Sequence, residues 1–210
     1  MECVIVSDAR NNALRELTEQ SVRTSKVKCV VVEKQPIEYD CETVHYDFDF
    51  NYNKCLNLGY KHTTGNVAFC NNDLLFSDGW WEIEKYLDRY GSLSPYNPGW
   101  GFHAGFSGVV EGYNIGRELC GWCLIVSRDT MDRTGGFDEG VEFWLSDNIW
   151  SIQLQHFGIK HALVCDYHVK HLTSKTLCSG IDRKTFGRYT GGQVPLFNKA
   201  KEKYVKRDNA

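Results

Sequence analysis

Residues 67–73 read Val-Ala-Phe-Cys-Asn-Asn-Asp, a continuous apolar run that stops on two amides and a carboxylate. Four apolar residues that follow the turn formers Thr64-Gly65-Asn66 predict a short strand over residues 67–70, buried on both faces. Strands of that kind belong to sheets covered by helices on both sides. Ligands of such sheets bind beyond the carboxyl ends of the strands, so Asn71, Asn72 and Asp73 are expected at the edge of a site.

The residues upstream repeat the pattern. Val4-Ile5-Val6 ends at Ser7 and Asp8, residues 12–22 carry Leu14 and Leu17 three apart, and residues 27–32 form a second apolar run ending at Glu33. This is a strand, helix, strand order, and its crossover makes the two strands parallel. Residues 51–61 give the clearest helical period, with Tyr52, Cys55, Leu56, Gly59 and Tyr60 on one face. Downstream, residues 79–90 predict a helix with Ser77 or Asp78 as its cap. Residues 91–120 combine glycines, prolines and aromatics and predict a mobile binding loop that orders around ligand. A strand over 121–127, a helix over 147–157 capped by Ser146 and stopped by Gly158, and a strand over 162–165 complete the series.

Composition narrows the class. A length of 210 residues suits one α/β domain, and 42% hydrophobic with 24% charged residues excludes disordered and collagen-like chains. A net charge of −3 argues against a protein whose business is gripping nucleic-acid phosphates. Lys199, Lys201, Lys203, Lys206 and Arg207 make one local basic run, read as a solvated end. Nine cysteines at irregular spacing fit free thiols in a reducing compartment. No run reaches the ~18 apolar residues of a membrane span, and the N-terminus lacks the pattern of a signal peptide. A soluble, cytoplasmic chain is expected. Cys120-Gly121-Trp122-Cys123 with His168 and His171 has the wrong spacing for a zinc finger, and Cys123 leads into a strand where a redox dithiol would open a helix.

Three strand ends thus offer Ser7 and Asp8, then Glu33, then Asn71, Asn72 and Asp73. A carboxylate can hold ribose hydroxyls, amides can hold a base or sugar, and a further carboxylate can hold a divalent metal on a diphosphate. Neither Gly-x-Gly-x-x-Gly nor Gly-Lys-Ser/Thr occurs, so a metal has to replace the glycine-rich phosphate cradle. The aromatic content points to surfaces that stack on sugar or base.

The ordered set of Ser7, Glu33, the Asn57 helix, VAFCNND, GWCLIVSRDTMDRTGGFDE (121–139), LSDNIWSIQLQHFG (145–158) and Val169-Lys170-His171 resembles the GT-A glycosyltransferases of the family-2-like branch, over about residues 3–175. The resemblance implies an α/β GT-A (nucleotide-diphospho-sugar transferase) fold with a central, mostly parallel sheet flanked by helices. It also implies a single domain, with a nucleotide-sugar half (1–76), an acceptor half (77–175) and a C-terminal extension (176–210). Donor contacts are expected from Ser7, Asp8, Glu33, Asn57, Asn71 and Asn72. Mn²⁺ or Mg²⁺ is expected on Asp73 and His171, acceptor-side contacts from Gly135, Gly136 and Asp138, and the general base of an inverting transfer from Asp147. Asn71 departs from the family's Asp-x-Asp, leaving one carboxylate there. By itself Asp147 also reads as a first-turn acid complementing a helix dipole, and the helix N-terminus is expected to lower its pKa. The expected partners are a nucleotide-sugar donor, with UDP-sugar foremost, and a glycan, protein or, less favoured, modified nucleic-acid acceptor. Small cysteine-rich transferases of large DNA viruses and phages, acting in the host cytoplasm, are similar. A sugar-phosphate nucleotidyltransferase and a non-catalytic binding module are the alternatives. The first usually carries a glycine-rich basic loop after its first strand, where this chain has SDARNN; the missing first acid motivates the second.

Overall fold

The computed structural model describes residues 1–172 and 183–205. Strands β1 (Glu2–Ser7), β2 (Cys29–Glu33) and β3 (Glu42–His45) are joined by helix α1 (Asn12–Ser25) and a short loop; helix α2 (Tyr52–Tyr60) then leads to β4 (Val67–Asn71). A short β5 (Leu74–Phe76), a 3₁₀ turn (Trp80–Asp88), β6 (Ser92–Tyr96) and β7 (Val109–Glu111) precede β8 (Cys123–Val126). Helices α3 (Arg128–Thr134) and α4 (Ser146–His156), strand β9 (His161–His171), and helices α5 (Arg183–Tyr189) and α6 (Gln193–Lys201) follow.

The strands form one sheet in the order β3-β2-β1-β4-β8-β6-β9-β5, with β7 on β9. The sheet is mixed and not purely parallel: β3, β2, β1 and β4 run parallel, as do β6 and β9, whereas β8 is antiparallel to both its neighbours and β9 to β5 and β7. The apolar runs are continuous because both faces are covered. Cys3, Ile5, Val31, Ala68 and Cys70 pack toward Trp80 and Ile83, while Val4, Val6, Val32 and Phe69 pack toward Leu56, Met131, Trp150 and Leu154. Helix α2 lies close against β1 and β2 because Gly59 has no side chain; a Cβ there would stand 2.4 Å from Val4 Cγ1 and 2.9 Å from Val32 Cγ2.

Local chemistry sets the helix ends. The Asn11 side chain accepts from Leu14 N, and that of Asn51 from Lys54 N, each a side-chain cap of a first turn. Ser127 caps α3, and Gly135 ends it at φ 72°. Two expected caps are absent. Ser77 and Asp78 do not cap the turn at Trp80, which starts from Gly79 at φ 76° while Asp78 pairs with Lys26. Ser146 is already inside α4, whose preceding residue Leu145 sits at φ 73° with no side-chain cap, and the Ser146 hydroxyl donates to Phe143 O.

Two stretches of residues 91–120, expected to be too irregular for steady structure, are strand: β6 lies between β8 and β9, with Pro95 at a β-bulge, and β7 pairs with β9. The eight described cysteines are free, and no described helix is long and apolar enough to cross a membrane.

Candidate active site

A cleft of about 550 Å³ opens beyond the ends of β1 and β4. Ser7, Asp8, Asn71, Asn72, Asp73, His171 and Asp147 all line it, although they come from four separate stretches of chain. Strand β9 supplies His171 by running six residues beyond its expected end, in register with Leu74.

Asp73 and His171 meet at the base of the cleft. His171 Nε2 lies 3.1 Å from Asp73 Oδ1, and both side chains are nearly buried, at 12% and 3% exposure. The geometry at His171 Nε2 is not that of a hydrogen bond. A separation of ~3 Å is one that two ligand atoms of an ion at ~2.1 Å from each can have. Trp122 holds the imidazole plane by stacking on it at 5.6 Å and 19°. No described cluster of three or more His, Cys, Asp or Glu side chains suits a metal, so an ion here would take its remaining ligands from a diphosphate and water, as octahedral Mg²⁺ and Mn²⁺ sites do. The zinc arrangement raised by Cys120 and Cys123 does not form. Cys120 Sγ contacts His103, Cys123 Sγ contacts Cys70, and His168 reaches Cys165 O.

The amides divide in role. Tyr52, buried and with its phenol pushed up by that burial, donates to Asn71 Oδ1 at 2.8 Å, which fixes which end of that amide is which. Asn72 turns toward the sheet's helix side, donating to Thr18 Oγ1 at 3.1 Å, and Ser7 Oγ meets the same hydroxyl at 2.9 Å. Asp8 accepts from Gln35 Nε2 at 2.8 Å and pairs with Arg10 Nε at 3.2 Å.

Asp147 stands in the first turn of α4 against Gly121, where an added Cβ would come within 2.7 Å of Asp147 Cβ. Its pKa is raised by burial, against the opposing pull of the backbone N–H of Asn148 and its own. The sequence reading expected a lowered value from the helix terminus; desolvation by the cleft walls outweighs that dipole. A non-glycine residue at positive φ immediately before the helix, Leu145, is strain of a sort that concentrates at functional sites.

The other expected residues lie outside the cleft. Glu33 is fully buried, and its carboxylate accepts from Ala9 N (3.0 Å), Gln35 N (2.8 Å) and Tyr39 OH (2.7 Å), so it shapes the loop after β1 from beneath. Asn57 clamps the 135–139 turn by exchanging hydrogen bonds with Phe137 N and O. Gly135 and Gly136, at φ 72° and 89°, make that turn, and Asn57 leaves no space for a side chain at Gly136. Asp138 binds Lys203 Nζ at 2.9 Å and Tyr204 OH at 2.8 Å. Burial alone would raise its pKa, but Lys203, Gly140 N–H and Tyr204 hold it below the usual carboxylate range. The C-terminal segment is therefore tied down at Lys203 and at buried Ala200, and not simply solvated; Lys206 and Arg207 lie outside the described residues.

Sequence reasoning missed several cleft residues. Thr185 and Tyr189 of α5 line one side, with Tyr189 edge-on to Phe50 at 5.4 Å and Arg188 holding Glu142 at 3.1 Å. Arg10, Tyr52, Trp100, Phe143 and Trp144 also line it; the aromatic content of the chain hinted at the four rings, and nothing pointed to Arg10.

No family model and no curated protein matches the sequence. Solved structures do match in shape. GalNAc-T7, crystallised with UDP, GalNAc and Mn²⁺, superposes at TM-score 0.62 with 9% identity over 97% of this chain and 50% of that one. TarS of S. aureus in complex with UDP-GlcNAc gives 0.56 at 13% identity over 86% and 61%. The fold is GT-A. The inositol-1-phosphate CTP transferase of T. maritima gives 0.56 at 9% identity and matches over 96% of both chains. This chain thus spans 50–61% of these two glycosyltransferases and nearly all of the nucleotidyltransferase.

Proposed function

We propose that the protein transfers a sugar from a UDP-sugar to an acceptor hydroxyl, with inversion at the anomeric carbon. The observation that carries the reading is the approach of Asp73 and His171 to 3.1 Å in a cleft that Asp147 also lines. Asp73 and His171 would hold a divalent ion, Mn²⁺ better than Mg²⁺ because one ligand is an imidazole nitrogen. Such an ion supplies positive charge to the departing diphosphate. Asp147 accepts the proton of the acceptor hydroxyl as its oxygen bonds to the anomeric carbon and the bond from that carbon to the diphosphate oxygen breaks. A pKa raised by burial suits the role, because a base whose pKa lies nearer the working pH drives proton transfer better while remaining ionised. Asn71, oriented by Tyr52, is placed to donate to the donor's sugar or phosphate, and Arg10 adds a cation after β1.

A nucleotidyltransferase is the second reading, favoured by the full-length match to the CTP transferase. Against it, the loop after β1 reads Asp8-Ala9-Arg10-Asn11, with one cation and no glycine. One experiment separates the two. The protein is incubated with Mn²⁺ and a panel of UDP-sugars, and in parallel with nucleoside triphosphates and sugar phosphates. UDP release from one UDP-sugar, lost in Asp147→Asn, is expected. Pyrophosphate release with no UDP-sugar turnover would replace this reading by the second, and turnover of neither would leave a binding module.

A further inference from the structure

The described lining of the cleft that holds Asp147 is rich in aromatic side chains and poor in Lys and Arg. Trp144, three residues before Asp147, keeps 50% of its surface exposed while lining the cleft. Trp100 lines it as well, its ring fixed by donation from Nε1 to Gly116 O at 2.7 Å, and Phe102, 63% exposed, extends that surface at 5.6 Å from the Trp100 ring. Large aromatic faces left in water beside a catalytic cleft mark a place where something binds. Among the described lining residues Arg10 is the one Lys or Arg, and it is held 3.2 Å from Asp8; Asp8, Asp73 and Asp147 supply three carboxylates.

That balance selects the acceptor. Nucleic acids and sulfated or sialylated glycans bring phosphates, sulfates or carboxylates that are recognised by clusters of Arg and Lys, and the described walls have none to offer. A pyranose ring fits: one face is a patch of C–H groups that stacks on an indole, and its hydroxyls project around the rim toward polar groups. We infer that the acceptor is a neutral carbohydrate whose terminal sugar stacks on Trp144 with its reacting hydroxyl turned to Asp147, and that Trp100 carries the next sugar. The assignment rests on the glycosyl-transfer reading for Asp147, but the binding surface is testable without it.

Saturation-transfer NMR on the donor-free protein, with neutral trisaccharides, their sialylated or sulfated counterparts, Ser/Thr peptides and hydroxymethylated duplex DNA as probes, reads the preference directly. Neutral sugars should give the signal, and affinity should fall roughly 3- to 10-fold in Trp144→Ala, as for one lost aromatic stacking contact. Trp144→Phe should recover most of it, and UDP affinity should be unchanged in both. Trp144 is half exposed, so neither variant threatens the core, and a melting curve checks this. Preference for an anionic glycan, DNA or peptide, binding of none of the probes, or full sugar affinity in Trp144→Ala would overturn the inference. Should neutral sugars bind while no UDP-sugar is turned over, the acceptor surface stands and the transferase reading falls; the reverse result removes the acceptor inference alone.

Discussion

Gly121→Ala tests whether the position of Asp147 matters without removing any functional group. Gly121 is not in the left-handed region, so the backbone accepts alanine, but the new Cβ would stand 2.7 Å from Asp147 Cβ, 3.2 Å from Cγ and 3.1 Å from Oδ2. Carbon atoms come to rest ~3.5–4 Å apart, so the two groups must separate by about 1 Å. Leu145 already sits at φ 73° ahead of the helix, so the first turn of α4 is poorly placed to absorb a further shift. A displacement of ~1 Å at a catalytic group costs on the order of 10²-fold in rate. The assay is UDP release from the preferred UDP-sugar, alongside calorimetric UDP binding and a melting curve. Turnover should drop ~10²-fold with UDP affinity within ~2-fold of wild type, since Asp147 is assigned to the acceptor and not to the diphosphate. A folded Gly121→Ala protein with full turnover would refute the placement of the base.

Further perturbations probe the same account. Asp147→Asn should lower turnover by ~10²- to 10⁴-fold yet melt higher than wild type at pH 8. Because burial raises its folded pKa above the unfolded 3.8, the folded state binds more protons between 3.8 and that raised pKa and loses stability as pH rises through this window, a loss that is complete at pH 8 and absent from Asn; equal melting temperatures at pH 8 would refute this. Wild-type activity should fall on acidification through the same raised pKa, with the inflection absent from the residual rate of Asp147→Asn. His161 is fully buried and its pKa is pushed down to about 4 by that burial; Nδ1 contacts Ser92 Oγ and Nε2 contacts Glu118 O. Below pH 6.5 the unfolded chain takes up a proton the folded one refuses, so stability should fall by up to about 3 kcal/mol between pH 6.5 and 4. Denaturant titrations of wild type and His161→Gln check it, the variant showing the flatter profile. Asp138→Ala removes the partner of Lys203 and Tyr204 and should cost about 2 kcal/mol while hastening proteolysis within residues 183–205; unchanged protease resistance would deny it that anchoring role.

The sequence revealed the fold where physics acts locally. The apolar runs at residues 4–6, 27–32 and 67–70 read as buried strands because both faces of β1, β2 and β4 are covered, and the face of α2 shows in its 3.6-residue period. β6 escaped notice because Ser92-Leu93-Ser94-Pro95-Tyr96 carries a proline that counts against a central strand; a β-bulge at Pro95 admits it, a non-local fact. The short strands β3, β5 and β7 exist only through their partners. Residue types at a strand end pointed to Asn71 and Asp73, and the resemblance to GT-A enzymes pointed to His171 and Asp147; all four line the cleft. Which carboxylates face inward was not. Glu33 ends a strand much as Asp73 follows one, but three donors fold over it. The direction of the Asp147 pKa shift was misjudged because the helix dipole is visible in sequence and the desolvating surroundings of Asp147 are not.

The central claim is that Asp73 and His171 hold a metal-bound nucleotide diphosphate. Calorimetric titration of UDP into wild type, Asp73→Asn and His171→Gln, each with Mn²⁺ and with EDTA, tests it most directly. The account predicts tight UDP binding to wild type in Mn²⁺, at least tenfold weaker binding in EDTA, and little difference between the two conditions for either variant. UDP affinity that is the same with and without metal in the wild type, or metal-dependent binding undiminished in both variants, would contradict it.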